Sequence, residues 1–146
     1  METITQTSKV YYTAKTHTIG GRTHGISKSS DGHLDIKLSV PGANGTGTNP
    51  EQLFAAGWSA CFEAALGTAA RKRHVSLPEN TAIDAEVDLC IDKGAYFLQA
   101  RLNISIPEVE QEIALELIDE AHRTCPYSKA IEGNVKVEYN LVEAIV

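Results

Sequence analysis

Three side chains in this sequence could act as nucleophiles: the thiols of Cys61, Cys90 and Cys125. Cys61 sits in LFAAGWSACFEAALGTAA, positions 53 to 70, which is apolar almost all the way round. A thiol there is either a small core filler or a group that its surroundings ionise. An unperturbed thiol, with a pKa near ~8.5, is only a few per cent thiolate at neutral pH. Lowering that pKa by one needs about 1.4 kcal/mol of differential stabilisation. Gly57 and Ser59 are poor mid-helix residues, so the spacing predicts a break in which Ser59 caps a second segment. Cys61 would then stand in a first turn, where a helix dipole lowers a thiol pKa. One helix terminus lowers it by roughly half to one, so a full cation is also needed. Arg22, straight after Gly20-Gly21, is the candidate, set against its ordinary role as a solvated hairpin charge.

Cys125 stands in HRTCPYSKA, positions 122 to 130. Pro126 suits the first position of a helical turn, so backbone N–H groups would face the Cys125 thiolate, with Arg123 and Lys129 adding positive charge. His122 and Cys125 also have the HxxC spacing of metal ligands, but no second Cys/His pair accompanies them. Cys90 falls by strand alternation with Asp84, Glu86, Asp88 and Asp92, which gives a thiolate no support, and reads as incidental. A cysteine hydrolase or transferase would need a histidine base beside Cys61. His17, His24, His33, His74 and His122 are scattered along the chain without a signature around them.

The elements that must position these thiols are legible in outline. The first 40 residues read as a three-stranded meander, VYYTAKTHTI, GISKS and HLDIKLSV, turning at Gly20-Gly21 and Asp31-Gly32. PGANGTGT lacks the Gly-Lys-Ser/Thr ending of a phosphate loop and reads as a connector. A helix starts at Asn49-Pro50 and ends in the basic run 71–74. TAIDAEVDLCID and AYFLQARLNISI follow as strands joined at Lys93-Gly94. A second helix is predicted from Pro107, with Val109, Ile113, Leu117, Ile118 and Ala121 as its apolar stripe. After Cys125-Pro126 come a short helical turn and a last strand with Val135, Val137, Tyr139 and Leu141 inward. The order β-β-β-α-β-β-α-β predicts an α+β domain, mainly antiparallel, spanning residues 1–146. One chain has too few elements to enclose a helix apolar on all sides. A two-fold homodimer is therefore expected.

Composition narrows the function. A net charge of −6 argues against nucleic acid, which needs a basic face. The hydrophobic fraction of 42% is that of an ordinary globular chain. No apolar run reaches bilayer length without Gly, Glu or Ser interrupting it, so no membrane association is expected. The opening METITQTSKVYYTAK lacks an apolar h-region, so a cytoplasmic protein is expected, in which lasting disulfides are uncommon.

TNPEQLFAAGWSACF, HRTCPYSKA and the early GGR together resemble the organic hydroperoxide resistance (Ohr) branch of the OsmC/Ohr family. CPYS with an early GGR is more similar to this branch than to the OsmC branch. The resemblance covers nearly the whole chain and implies an intertwined homodimer whose sheets wrap two central helices. It implies that Cys61 is the peroxidatic and Cys125 the resolving cysteine, and that Arg22 and Glu51 hold the thiolate ready. It further implies reduction of alkyl and fatty-acid hydroperoxides through a Cys61 sulfenic acid and a Cys61–Cys125 disulfide. Recycling would come from dihydrolipoyl groups on lipoylated proteins, with no metal or bound cofactor. Phe54, Trp58 and Phe62 would line a pocket for an alkyl chain, or else serve as plain core. The alternatives are an OsmC-branch peroxidase of broader specificity and a non-catalytic ligand-binding dimer of the same fold.

On this reading Glu51 and Cys61 pose a problem of reach. Ten residues along one straight helix put their Cα atoms roughly 15 Å apart, pointing about 80° away from each other. Either the helix bends between Gly57 and Ser59, which is the expectation here, or the two residues of one site come from different subunits.

Overall fold

The computed structural model describes residues 1–4 and 8–143. They form two compact units, Met1–Pro50 and Glu51–Val146. In the first, β1 (Thr16–Ile19), β2 (Ile26–Ser29) and β3 (Asp35–Lys37) make an antiparallel sheet in that order. The meander is as expected, but its first hairpin is not a tight turn. Gly20 and Gly21, at φ 80° and 69°, lead into a single helical turn, α1 (Gly21–His24), which carries Arg22. β1 is also shorter than the run from Val10. Its partner β2 ends at Ser29, whose hydroxyl donates to Asp31 and opens the next turn.

The core lies in the second unit. α2 (Pro50–Lys72) is followed by β4 (Ala82–Asp92) and β5 (Ala95–Ser105), paired antiparallel along their whole length. Lys93 and Gly94 both take positive φ, 50° and 80°, as the tight hairpin demands. α3 (Gln111–Thr124) and α4 (Pro126–Ile131) come next, and β6 (Lys136–Leu141) closes the sheet parallel to β5. The expected second helix starts later than Pro107. Glu108 takes a φ of 63°, which no right-handed helix accepts, so α3 opens only at Gln111 and Val109 lies outside it.

α2 buries Trp58, Phe62, Leu66, Ala69 and Ala70, a single stripe at helical spacing. The stripe packs against Ala100, Leu102 and Ile104 of β5 and Ala114, Leu117 and Ala121 of α3. Arg73 pairs with Glu116, and Lys72 and Arg73 pair with Glu120, pinning the end of α2 beside the middle of α3. By length and composition α2 is apolar enough to cross a bilayer, with a mean hydropathy of 1.2, contrary to the expectation that no segment would be. Its buried stripe is what the core of a folded domain requires. The opposite face, with Ala56, Ala60, Glu63, Ala64 and Thr68, is exposed on the protomer.

Candidate active site

α2 runs from Pro50 to Lys72 as one helix, 23 residues long, so the predicted break at Gly57 and Ser59 does not exist. Ser59 is no cap: its hydroxyl donates back to the Ala55 carbonyl at 2.7 Å, which keeps it inside the helix. Gly57 has a different purpose. A Cβ there would stand 2.9 Å from the Tyr127 hydroxyl oxygen and 3.3 Å from Cζ, so the missing side chain makes room for the Tyr127 ring. Cys61 therefore lies in mid-helix, where its own helix terminus gives it nothing.

The group that helps Cys61 comes from elsewhere in the chain. α3 ends at Thr124, and Cys125 in extended backbone (φ −61°, ψ 121°) joins it to α4. The ion pairs at 72–73 with 116–120, and the approach of Cys125 to Cys61, show that α2 and α3 run antiparallel. That direction brings the start of α4 onto Cys61. The Tyr127 backbone N–H donates to the Cys61 sulfur, and the Cys61 thiol lies within hydrogen-bonding reach of Cys125. Both thiols are free, Cys61 half-buried and Cys125 fully buried.

Electrostatically the site as it stands favours a thiol. Burial pushes Cys61 above the ordinary range, the Tyr127 N–H pulls it down, and the hydrogen bond and charge of Cys125 push it up again. This reverses the expected depression by a helix dipole. A positive charge is what would convert such a thiol to thiolate.

The remaining predicted residues divide by place. Glu51 is in the first turn of α2. With the helix unbroken, Glu51 and Cys61 of one chain stay about 15 Å apart. Arg22 lies on α1, in the other unit. Trp58 and Phe62 are 0% exposed and belong to the core, whereas Phe54 is half-buried. Phe54 meets Trp58 and Tyr127 with ring centroids 5.7 and 6.1 Å apart. Cys90 lies on β4 opposite Phe97 of β5.

Sequence reasoning missed Tyr127, Ser128, His122 and Tyr139 as a group. Trp58 Nε1 donates to Ser128 Oγ at 3.0 Å, and Ser128 is 1% exposed. The bond holds α4 to α2 one turn away from the two cysteines. Trp58→Phe removes that donor and leaves Ser128 short of a partner. We expect a loss of about 2 kcal/mol, read as a lower denaturant midpoint at unchanged slope. The available signal was the repeated spacing of three, Trp58 to Cys61 and Cys125 to Ser128.

Residues 42–140 match the family of OsmC-like proteins. The organic hydroperoxide resistance protein of Xanthomonas axonopodis pv. citri (strain 306) is 43% identical over 137 residues, 91% of this chain and 96% of that protein. The organic hydroperoxide resistance protein OhrB of Bacillus subtilis (strain 168) is 41% identical over 135 residues, 89% of this chain and 97% of that one. The crystal structure of Bacillus subtilis OhrB superposes with a TM-score of 0.86 at 40% identity, covering 91% of this chain and all of that one. This α+β chain, with its two thiols meeting where α2 passes the α3–α4 junction, belongs to the OsmC/Ohr family as a homologue of the organic hydroperoxide resistance proteins.

Proposed function

We propose that the protein is a cysteine-based peroxidase that reduces organic hydroperoxides to alcohols. The observation that supports it most is the meeting of two free thiols, Cys61 on α2 and Cys125 at the α3–α4 junction. The Cys61 thiolate attacks the distal peroxide oxygen. The O–O bond breaks, the alcohol leaves with a proton, and Cys61 becomes a sulfenic acid. Cys125 then attacks that sulfur, forming the disulfide and releasing water. A dithiol, for which dihydrolipoyl groups on a lipoylated protein are the proposed source, returns both cysteines to thiols.

Arg22 supplies the cation that Cys61 needs, and hydrogen-bonds the peroxide as charge develops on the leaving oxygen. Glu51 orients the guanidinium. Because α2 is unbroken, Cys61 of one protomer is served by Glu51 of the partner subunit. This requires the homodimer, which two features favour. The small-residue face of α2 is exposed on the protomer. Leu89, Ile91 and Tyr96, at the end of the β4–β5 hairpin, are 44%, 61% and 71% exposed although they continue the inner face of the sheet. Phe54, with Trp58 and Phe62 beneath it, forms the apolar ground for the alkyl chain. The setting is the cytoplasm, where a dithiol supply keeps the cycle running.

Steady-state turnover tests this reading, with tert-butyl hydroperoxide or hydrogen peroxide as oxidant and dihydrolipoamide or glutathione as reductant. The organic hydroperoxide with dihydrolipoamide should be the fastest pair. No peroxide consumption with either reductant would overturn the reading.

A further inference from the structure

A chain of hydrogen bonds leads from Trp58, one turn along α2 from Cys61, to the surface, and the proposed reaction as written makes no use of it. Trp58 Nε1 donates to Ser128 Oγ at 3.0 Å. The Ser128 hydroxyl in turn lies within reach of the Tyr139 oxygen and acts on it as a donor. The Tyr139 hydroxyl lies 2.7 Å from His122 Nδ1, and His122 Nε2 faces Glu132 at 3.3 Å. Tyr139 is held between rings as well: its centroid is 5.6 Å from Phe62, stacked, and 4.7 Å from His122.

With a neutral imidazole at His122, donor and acceptor accounting gives the chain one direction. An indole N–H only donates, so Ser128 accepts from Trp58 and spends its own proton on Tyr139. Tyr139 then donates to His122 Nδ1, which leaves the imidazole proton on Nε2, facing a carboxylate that only accepts. Every polar group in the chain is satisfied, the condition under which a buried network fixes one arrangement. Burial holds the Tyr139 phenol above its ordinary range, so it keeps the proton that this direction requires.

The chain ends on the segment that carries Cys125. α4 has six residues, too few to be stable alone, so its position depends on what ties it down. Trp58 and Ser128 make a rung parallel to Cys61 and Cys125, one turn away on each element. We propose that Tyr139 and His122 are positioning residues for the second half-reaction: acting through Ser128, they hold the Cys125 turn where its thiol can meet the oxidised Cys61. In that step the S–S bond forms, the S–O bond of the Cys61 sulfenic acid breaks, and the hydroxyl leaves as water with the Cys125 proton. The inference rests on the peroxidase reading above.

A rapid-quench experiment with one equivalent of tert-butyl hydroperoxide separates the two steps. Dimedone trapping reads the sulfenic acid, and peptide mass reads the disulfide. Tyr139→Phe and His122→Leu should form sulfenic acid at a rate near that of the unaltered protein and close the disulfide about tenfold more slowly. His122→Asn, whose Oδ1 can accept where Nδ1 does, should recover closure to within about threefold. Val137→Ala removes packing from the same strand outside the chain of bonds, and should leave closure unchanged. Unchanged closure in both relay variants, equal slowing in Val137→Ala, or no recovery in His122→Asn would overturn the inference. Should the unaltered protein form no sulfenic acid, the peroxidase reading falls, and this proposal with it.

Discussion

Cys61→Ser is expected to abolish peroxide turnover, by at least about a thousandfold, because a serine hydroxyl is almost wholly un-ionised at neutral pH. Trapping of a sulfenic acid should vanish with it. Cys125→Ser should behave differently. Its Cys61 keeps the Tyr127 N–H and the same buried setting, so one peroxide per site should still react. The sulfenic acid then has no thiol partner, and excess peroxide should drive it to sulfinic acid. A first reaction lost in Cys125→Ser and kept in Cys61→Ser would mean that the two roles are exchanged. Cys90→Ser should match the unaltered protein, since Cys90 is placed on β4 opposite Phe97 and is not among the groups that act on Cys61.

The second large effect concerns Arg22. Burial and Cys125 both hold the Cys61 proton on, and one backbone N–H opposes them. A thiolate-based peroxidase with that balance depends on its cation. Arg22→Met should therefore raise the Cys61 pKa and slow peroxide attack at neutral pH, about tenfold for each pH unit by which the Cys61 midpoint rises. The loss should shrink as the solution is made alkaline, because the thiolate then forms without assistance. Alkylation of Cys61 followed against pH measures the midpoint directly, and an unmoved midpoint would remove Arg22 from the site. Glu51→Gln should move the same midpoint in the same direction by a smaller amount, as a residue that acts through Arg22.

The parts of the fold that the residues disclosed are those governed by local rules. The β4–β5 hairpin is one: alternation marks both strands, and Lys93-Gly94 is a turn of the right chemistry. The two ends of α2 are another, at Pro50 and in the basic run after Ala70. The misreadings share a cause, which is contact that local patterns do not announce. Gly57 looks like a helix breaker until Tyr127 is seen against it. Ser59 looks like a cap until its back-bond to Ala55 is seen. No periodicity announces that β6 pairs parallel with β5, nor that Pro107 begins a turn ahead of α3. At the site, the cysteines stood out by chemistry and motif. Ser128, Tyr139 and His122 did not, because each is an ordinary residue whose meaning comes from the other two.

On the reading proposed above, Cys61 and Cys125 form one redox couple worked by organic hydroperoxide. Peptide mass spectrometry of the reduced protein, treated with one equivalent of tert-butyl hydroperoxide and then alkylated, tests this most directly. Such a couple predicts a single cross-link between the Cys61 and Cys125 peptides, two hydrogens lighter than the separate pair, with Cys90 alkylated throughout and the link undone by dihydrolipoamide. Alkylation of both Cys61 and Cys125 after treatment, or a cross-link through Cys90, would contradict it.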